Sequence, residues 1–157
     1  MKVSMEQVRA RRQASVWTKV HPIFALGQLG AFVVSVILLF CYFRGWVSFD
    51  VVQESVLVKI ALMIGAIVSG AFWERDVYGQ YWFADQFFFE DCMTINVLLL
   101  HVGYLVMTYA NPQAPEKSVV VLCLAYAVYV ANVAQYIFRN HKMTQIPIPV
   151  EHGGKGR

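Results

Sequence analysis

Four apolar runs, each long enough to cross a bilayer, dominate this chain: Pro22 to Phe43, Val51 to Phe72, Cys92 to Tyr109 and Ser118 to Phe138. At a helical rise of 1.5 Å per residue they reach about 27–33 Å, which matches a hydrocarbon core of roughly 30 Å. Only 15% of the 157 residues are charged and 58% are hydrophobic, a balance that a water-soluble domain of this size rarely sustains. The expected fold is all-α: a polytopic membrane protein with four transmembrane helices in one domain over 1–142. The tail, 143–157, carries Pro147, Pro149 and a glycine-rich end and is expected to be extended or disordered.

The flanks of the runs refine this picture. The first run is too long for the core of a cleavable signal peptide and lacks a small-residue cleavage site, so none is expected. Lys2, Arg9, Arg11, Arg12 and Lys19 precede it, and Arg139, Lys142, Lys155 and Arg157 follow the last run, whereas the two outer loops offer Arg44 and Lys117. Both termini are therefore expected in the cytoplasm, together with the connection between the second and third spans. The net charge of +3 suits anionic lipid headgroups and calls for no nucleic acid. Ser4 with Gln7 has the form of a capping box, placing the start of a short helix near Met5. Trp17 falls in the interfacial belt, and Pro22 in the first turn of the first span. Gly27, Ala31 and Ser35, and likewise Gly65/Ser69 and Ala66/Gly70, have the four-residue spacing of closely packed membrane helices. Cys41, Cys92 and Cys123 read as buried free thiols.

The connection between the second and third spans concentrates the chemistry. Glu74, Asp76, Asp85, Glu90 and Asp91 crowd a stretch in which Arg75 is the only nearby cation, among Trp73, Tyr78, Tyr81, Trp82, Phe83, Phe87, Phe88 and Phe89. Like charges held close and partly out of water cannot all stay ionised at neutral pH, so the cluster suits general acid–base work. Asp76 and Asp85 lack an adjoining apolar helix and read as solvated, while Glu74 and Glu90 adjoin rings at helix ends. The rings suit a roof over a flat hydrophobic ligand. Within the third span, Glu90, Thr94, Val97, His101, Tyr104 and Thr108 fall within about 40° of one line, and Tyr129, Asn132, Tyr136 and Arg139 form a similar stripe on the fourth. An ionisable group at mid-membrane, such as His101, is a functional candidate by default. Lys59 lies about 12 Å in from the outer face and either snorkels outward or enters a polar interior.

Several segments together resemble the 3-vinyl bacteriochlorophyllide hydratases of photosynthetic bacteria. They are Arg9-Ala10-Arg11-Arg12, Val16-Trp17-Thr18, Lys59 followed by Gly70-Ala71-Phe72-Trp73-Glu74, Phe88-Phe89-Glu90-Asp91, His101-Val102-Gly103-Tyr104-Leu105, and Tyr126 through Gln135. The resemblance runs from Arg9 to about Phe138 and does not include Asp76, Asp85 or the tail. It implies addition of water to the C3 vinyl group of chlorophyllide a or a bacteriochlorophyllide in a bacterial inner membrane, without a cofactor. It also implies Glu74, Glu90 and Asp91 as catalytic residues. Lys59, Trp73, Tyr81, Trp82, His101, Tyr104, Asn132 and Gln135 are the substrate-binding candidates. No metal site of the protein's own is expected, although His101 is a candidate axial ligand to the substrate's magnesium. Expected partners are a chlorophyllide-type tetrapyrrole, the bilayer, and further copies of the chain or other pigment-biosynthesis enzymes. Two other readings suit the same residues: a tetrapyrrole-binding subunit without catalysis, and a small proton-coupled transporter built around Lys59 and His101. Internal inverted repeats, which the transporter would favour, are not evident.

Overall fold

The computed structural model describes residues 5–84 and 87–144, with the backbone alone at Met5 and over 139–144. The regular elements among them are helices: α1 (Met5–Ala14), α2 (Trp17–Phe43), α3 (Phe49–Tyr78), α4 (Phe88–Ala110) and α5 (Pro115–Thr144). Four of the five are long and apolar enough to cross a membrane. The chain is thus an all-α protein with four candidate spans, and α1 is a short helix ahead of them.

The spans pair as two hairpins. α2 packs along α3 and α4 along α5, while α3 and α4 touch much more sparsely. α3 is the central helix. Val52, Val56, Lys59, Ile60, Met63 and Ala66 recur at helical spacing and are all buried. α2 buries only Ser35 and Leu39 and turns Ile23, Leu26, Val34, Ile37 and Phe40 outward, as a helix facing hydrocarbon does. The α2–α3 seam depends on small residues. A Cβ at Gly65 would lie 2.5 Å from two ring carbons of Phe24, so the aromatic ring packs directly on the α3 backbone there.

Helix ends depart from the sequence expectation in one consistent way: the helices outlast the apolar runs. α2 starts at Trp17, so Pro22 sits inside it rather than in its first turn. α3 begins at Phe49 and continues past Phe72 through Trp73 and Glu74 to Tyr78, where Gly79 ends it at φ 86°. The Gly79 N–H donates to the Arg75 carbonyl (2.9 Å), a left-handed cap that only glycine adopts without steric cost. The acid-and-aromatic bridge expected over 73–91 therefore contracts to 79–87. Hydropathy falls at the interface, but Trp, Glu and Arg remain competent helix residues. α5 likewise runs to Thr144, into the segment read as tail. Ser4, Asp85, Gln86 and 145–157 lie outside the described residues.

The thiol expectation also needs correction. Cys41 is half-buried, but Cys92 and Cys123 are exposed on α4 and α5. An apolar run in a membrane has an outward face as well as an inward one, so apolar neighbours do not place a cysteine in the core.

Candidate functional site

The carboxylates gather where the two hairpins are joined. Glu74 lies 11 residues after Met63 and 14 after Ile60, which puts it within about 40° of both on α3. It is accordingly buried, 6% exposed, although it sits near the helix end. Its Oε2 accepts a long hydrogen bond from the Ala84 N–H (3.4 Å). Asp91, in the first turn of α4, reaches back across the connection, and its Oδ2 accepts from the Phe83 N–H at 2.7 Å. Two carboxylates on two helices thus hold consecutive backbone amides of one short loop. Phe83 itself has φ 59°, a left-handed conformation that costs a non-glycine residue about 1–2 kcal/mol. Such strain is kept where surrounding contacts over-determine it, and here both carboxylates bear on it.

The remaining acids separate as their neighbours suggested. Glu90 is half-buried beside Asp91. Asp76 is exposed and accepts from Ser15 Oγ (2.7 Å), which ties it to the end of α1 rather than to the loop. Asp85 falls outside the described residues.

Aromatic side chains surround this end without forming a closed roof. Trp17 stacks on Phe72 (5.0 Å between centroids), and Tyr81 meets Phe72 edge-on (5.8 Å). Trp73 contacts Tyr78 and Phe87, while its Nε1–H donates to Thr18 Oγ1 (3.1 Å). Tyr81, Trp82 and Phe83 are exposed, 46%, 51% and 38% respectively, so a flat ligand would find an open aromatic ledge. A hollow of about 430 Å³ lies at the opposite end, lined by Tyr42, Phe43, Glu116, Val119, Val120 and Cys123.

A second polar group sits in the core, well away from the first. Lys59 and His101 are both fully buried, and Lys59 Nζ lies 2.8 Å from His101 Nε2. The other ring nitrogen, Nδ1, is 2.7 Å from the Val97 carbonyl, which can only accept. The proton therefore belongs on Nδ1, and Nε2 accepts from Lys59. Lys59 Nζ also lies 4.3 Å from the Tyr129 ring centre and 5.5 Å from that of Tyr126. Tyr126 Oη and Ser55 Oγ both hydrogen-bond Ser35 Oγ, so α2, α3, α4 and α5 all contribute. These contacts join the two hairpins where direct packing between α3 and α4 is sparse. Lys59 does not snorkel. His101 has no open nitrogen either, so in this arrangement it cannot ligate magnesium without displacing Lys59 or the Val97 carbonyl.

The polar stripe on α4 is reproduced: Val97, His101, Tyr104 and Thr108 are all buried, and Thr94 accepts from Asn132 Nδ2 (3.3 Å). Tyr104 Oη is buried without a hydrogen-bond partner among the described residues. Along α5, Tyr129 is buried and Asn132 and Gln135 are half-buried, but Tyr136 is exposed. The expected stripe on that helix therefore ends at Asn132. The Arg139 side chain lies outside the described residues. Sequence reasoning missed the Phe83 and Ala84 amides, Ser35 and Tyr126. A backbone N–H carries no sequence signature, while Ser35 was visible as a small packing residue and not as a hydrogen-bonding one.

Comparison with known proteins now bears on this constellation. The family profile described as 2-vinyl bacteriochlorophyllide hydratase matches residues 4–142. A 2-vinyl bacteriochlorophyllide hydratase of Rhodobacter capsulatus is 37% identical over 134 residues, covering 85% of this chain and 78% of the relative. One from Cereibacter sphaeroides is 36% identical over 134 residues, covering 85% of this chain and 83% of the relative. No solved structure matches the chain. With a family match over residues 4–142 and two relatives at 36–37% identity along most of its length, the chain belongs to the 2-vinyl bacteriochlorophyllide hydratase family, a family of hydro-lyases.

Proposed function

We propose that this protein adds water across the C3 vinyl group of a chlorophyllide, either chlorophyllide a or a bacteriochlorophyllide, to give the 3-(1-hydroxyethyl) product. The observation that carries the reading is the convergence of Glu74 and Asp91 on the Phe83–Ala84 amides beside an exposed aromatic ledge. Tyr81 and Trp82 offer flat apolar faces to the macrocycle, and Trp73 backs the ledge. Glu74, the more buried carboxyl, is assigned as the acid and delivers its proton to the terminal vinyl carbon, which becomes a methyl group. The positive charge left on the adjoining carbon delocalises into the macrocycle and is stabilised by the carboxylates of Asp91 and Glu90. Water adds to that carbon, and its surplus proton passes to Asp91. Transfer of that proton back to Glu74 closes the cycle with no net consumption of acid.

The core group has a supporting role in this account. Lys59 on α3 and His101 on α4 hold the hairpins at a fixed separation, which sets the distance between Glu74 on α3 and Asp91 on α4, while Tyr104 packs in the same core and Asn132 ties α5 to α4 through Thr94. Gln135, half-buried three residues beyond Asn132 on α5, is assigned to pigment binding as well. We place both termini and the α3–α4 connection on the cytoplasmic side of a bacterial photosynthetic membrane, a reading that the distribution of lysine and arginine supports.

Substitution of the acids tests the assignment. Glu74→Gln and Asp91→Asn should each lower turnover by at least about a hundredfold, the lower range for acid–base catalysis. Asp76→Asn should leave turnover near that of the unaltered protein, because its carboxylate is exposed and bound to Ser15. Full turnover in the Glu74 and Asp91 variants with loss in Asp76→Asn would reverse the roles.

A further inference from the structure

The end of the bundle that carries the acids also carries a cation with no carboxylate partner among the described residues. α1 is fastened to the last turns of α3: Ser15 Oγ donates to Asp76, and Arg11 Nη1 donates to the Val77 carbonyl (3.4 Å). Arg12 is positioned by a chain of two hydrogen bonds. The Thr18 hydroxyl donates to the Arg12 carbonyl (2.7 Å), and the Trp73 indole N–H donates to Thr18 Oγ1 (3.1 Å). The Arg12 guanidinium then lies 5.0 Å over the same Trp73 ring. Among the described residues its recorded partner is this aromatic face and no carboxylate lies within ion-pair distance. A guanidinium held over a ring commits its charge to the ring and none of its N–H donors to an ion pair, and that donor fork matches a carboxylate.

Electrostatics supplies the reason for such a cation here. A chlorophyllide carries a free propionate carboxylate, and the Glu90 and Asp91 carboxylates would repel an anion brought close to them. Arg75 also lies over a ring, 5.0 Å above Tyr81, but it is followed at once by the carboxylate of Asp76, whose charge offsets its own. Arg12 has Arg9 and Arg11 on its helix, whose one acid, Glu6, stands six residues earlier in the first turn.

We infer that the Arg12 guanidinium receives the free propionate carboxylate of the pigment, and so makes this protein select the unesterified acid over its ester. The inference rests on the chlorophyllide reading above but is read out by binding, which does not require turnover. An anionic lipid headgroup presents the same chemistry to an arginine at a membrane surface, so the test is made in zwitterionic nanodiscs.

Equilibrium binding of a 3-vinyl chlorophyllide and of its methyl ester to the full-length protein gives the acid-to-ester affinity ratio. The acid should bind about tenfold more tightly, the range of one partly exposed charge-assisted hydrogen bond. Arg12→Gln should abolish that preference by weakening the acid while leaving the ester unchanged, and Arg12→Lys, which keeps the charge but not the fork, should fall between. The ester serves as an internal control for folding within each variant. Equal weakening of acid and ester would mean that Arg12 only supports the fold, and the inference would fail. It would also fail if the unaltered protein did not discriminate, or if Arg12→Gln kept the preference and lost only its affinity for vesicles containing anionic lipid. Absence of hydration with the acid preference intact would instead count against the hydratase reading alone.

Discussion

Replacing His101 by alanine should cost more than the packing of an imidazole, because it strands a buried lysine. Lys59 is fully buried, and its Nζ donates to His101 Nε2 at 2.8 Å. Truncating the ring in the core removes contacts worth about 2 kcal/mol or more. Loss of the acceptor leaves a buried nitrogen with only aromatic faces, at a further cost of about 1–3 kcal/mol. His101→Ala should therefore destabilise the bundle by about 3–5 kcal/mol. Lys59→Met keeps most of the side-chain volume and removes the nitrogen, so its cost should be about 1–3 kcal/mol, from the unpaired imidazole alone. In the double variant neither partner remains to be unsatisfied. A double-mutant cycle, read by reversible unfolding in mixed detergent micelles, should give a coupling of about 2–6 kcal/mol, because both orphan penalties vanish in the double variant, well above the roughly 0.6 kcal/mol of an average interhelical hydrogen bond in a membrane. Turnover at saturating substrate should fall in parallel, because hairpin separation sets the distance between Glu74 and Asp91. Additive single costs, with coupling below about 0.5 kcal/mol, would refute the claim that this pair joins the hairpins.

Two further outcomes follow from the packing and the charge pattern. Gly65→Ala should destabilise the α2–α3 hairpin by about 1–3 kcal/mol, since the new methyl would lie 2.5 Å from the Phe24 ring, and Phe24→Leu in the same chain should recover part of the loss in an unfolding titration. Cysteines introduced at Ser48 or Lys117, in a background lacking Cys41, Cys92 and Cys123, should react with an impermeant thiol reagent from outside the cytoplasmic membrane, and reaction from the inside alone would overturn the orientation.

The sequence displays its architecture because the bilayer imposes length and apolarity together, and four runs met both requirements. It was also informative along α4, where Val97, His101, Tyr104 and Thr108 share a face and are all buried. Helix ends were harder to read. Trp73, Glu74 and Arg75 lower the hydropathy without disfavouring the helix, and only Gly79 stops it. Partner choice was least legible. Lys59 and His101 are 42 residues apart, and nothing local in either predicts that one closes the other's open nitrogen. The same holds for Glu74 and Asp91, whose loop partners are backbone amides without a side-chain signature. Tyr136 misled for a different reason: helical periodicity places a residue on a line but does not say how far along that line the neighbouring helix extends.

The central claim is that the oxygen of the product alcohol comes from water, by protonation of the vinyl group and capture of the resulting cation. Purified protein incubated with a 3-vinyl chlorophyllide in heavy-oxygen water, without nicotinamide cofactor or molecular oxygen, tests it directly by mass spectrometry of the pigment. The account predicts a 1-hydroxyethyl product carrying one heavy oxygen atom and one solvent-derived hydrogen on the new methyl group. An unlabelled alcohol, or a product that forms only when reduced nicotinamide or oxygen is supplied, would contradict it.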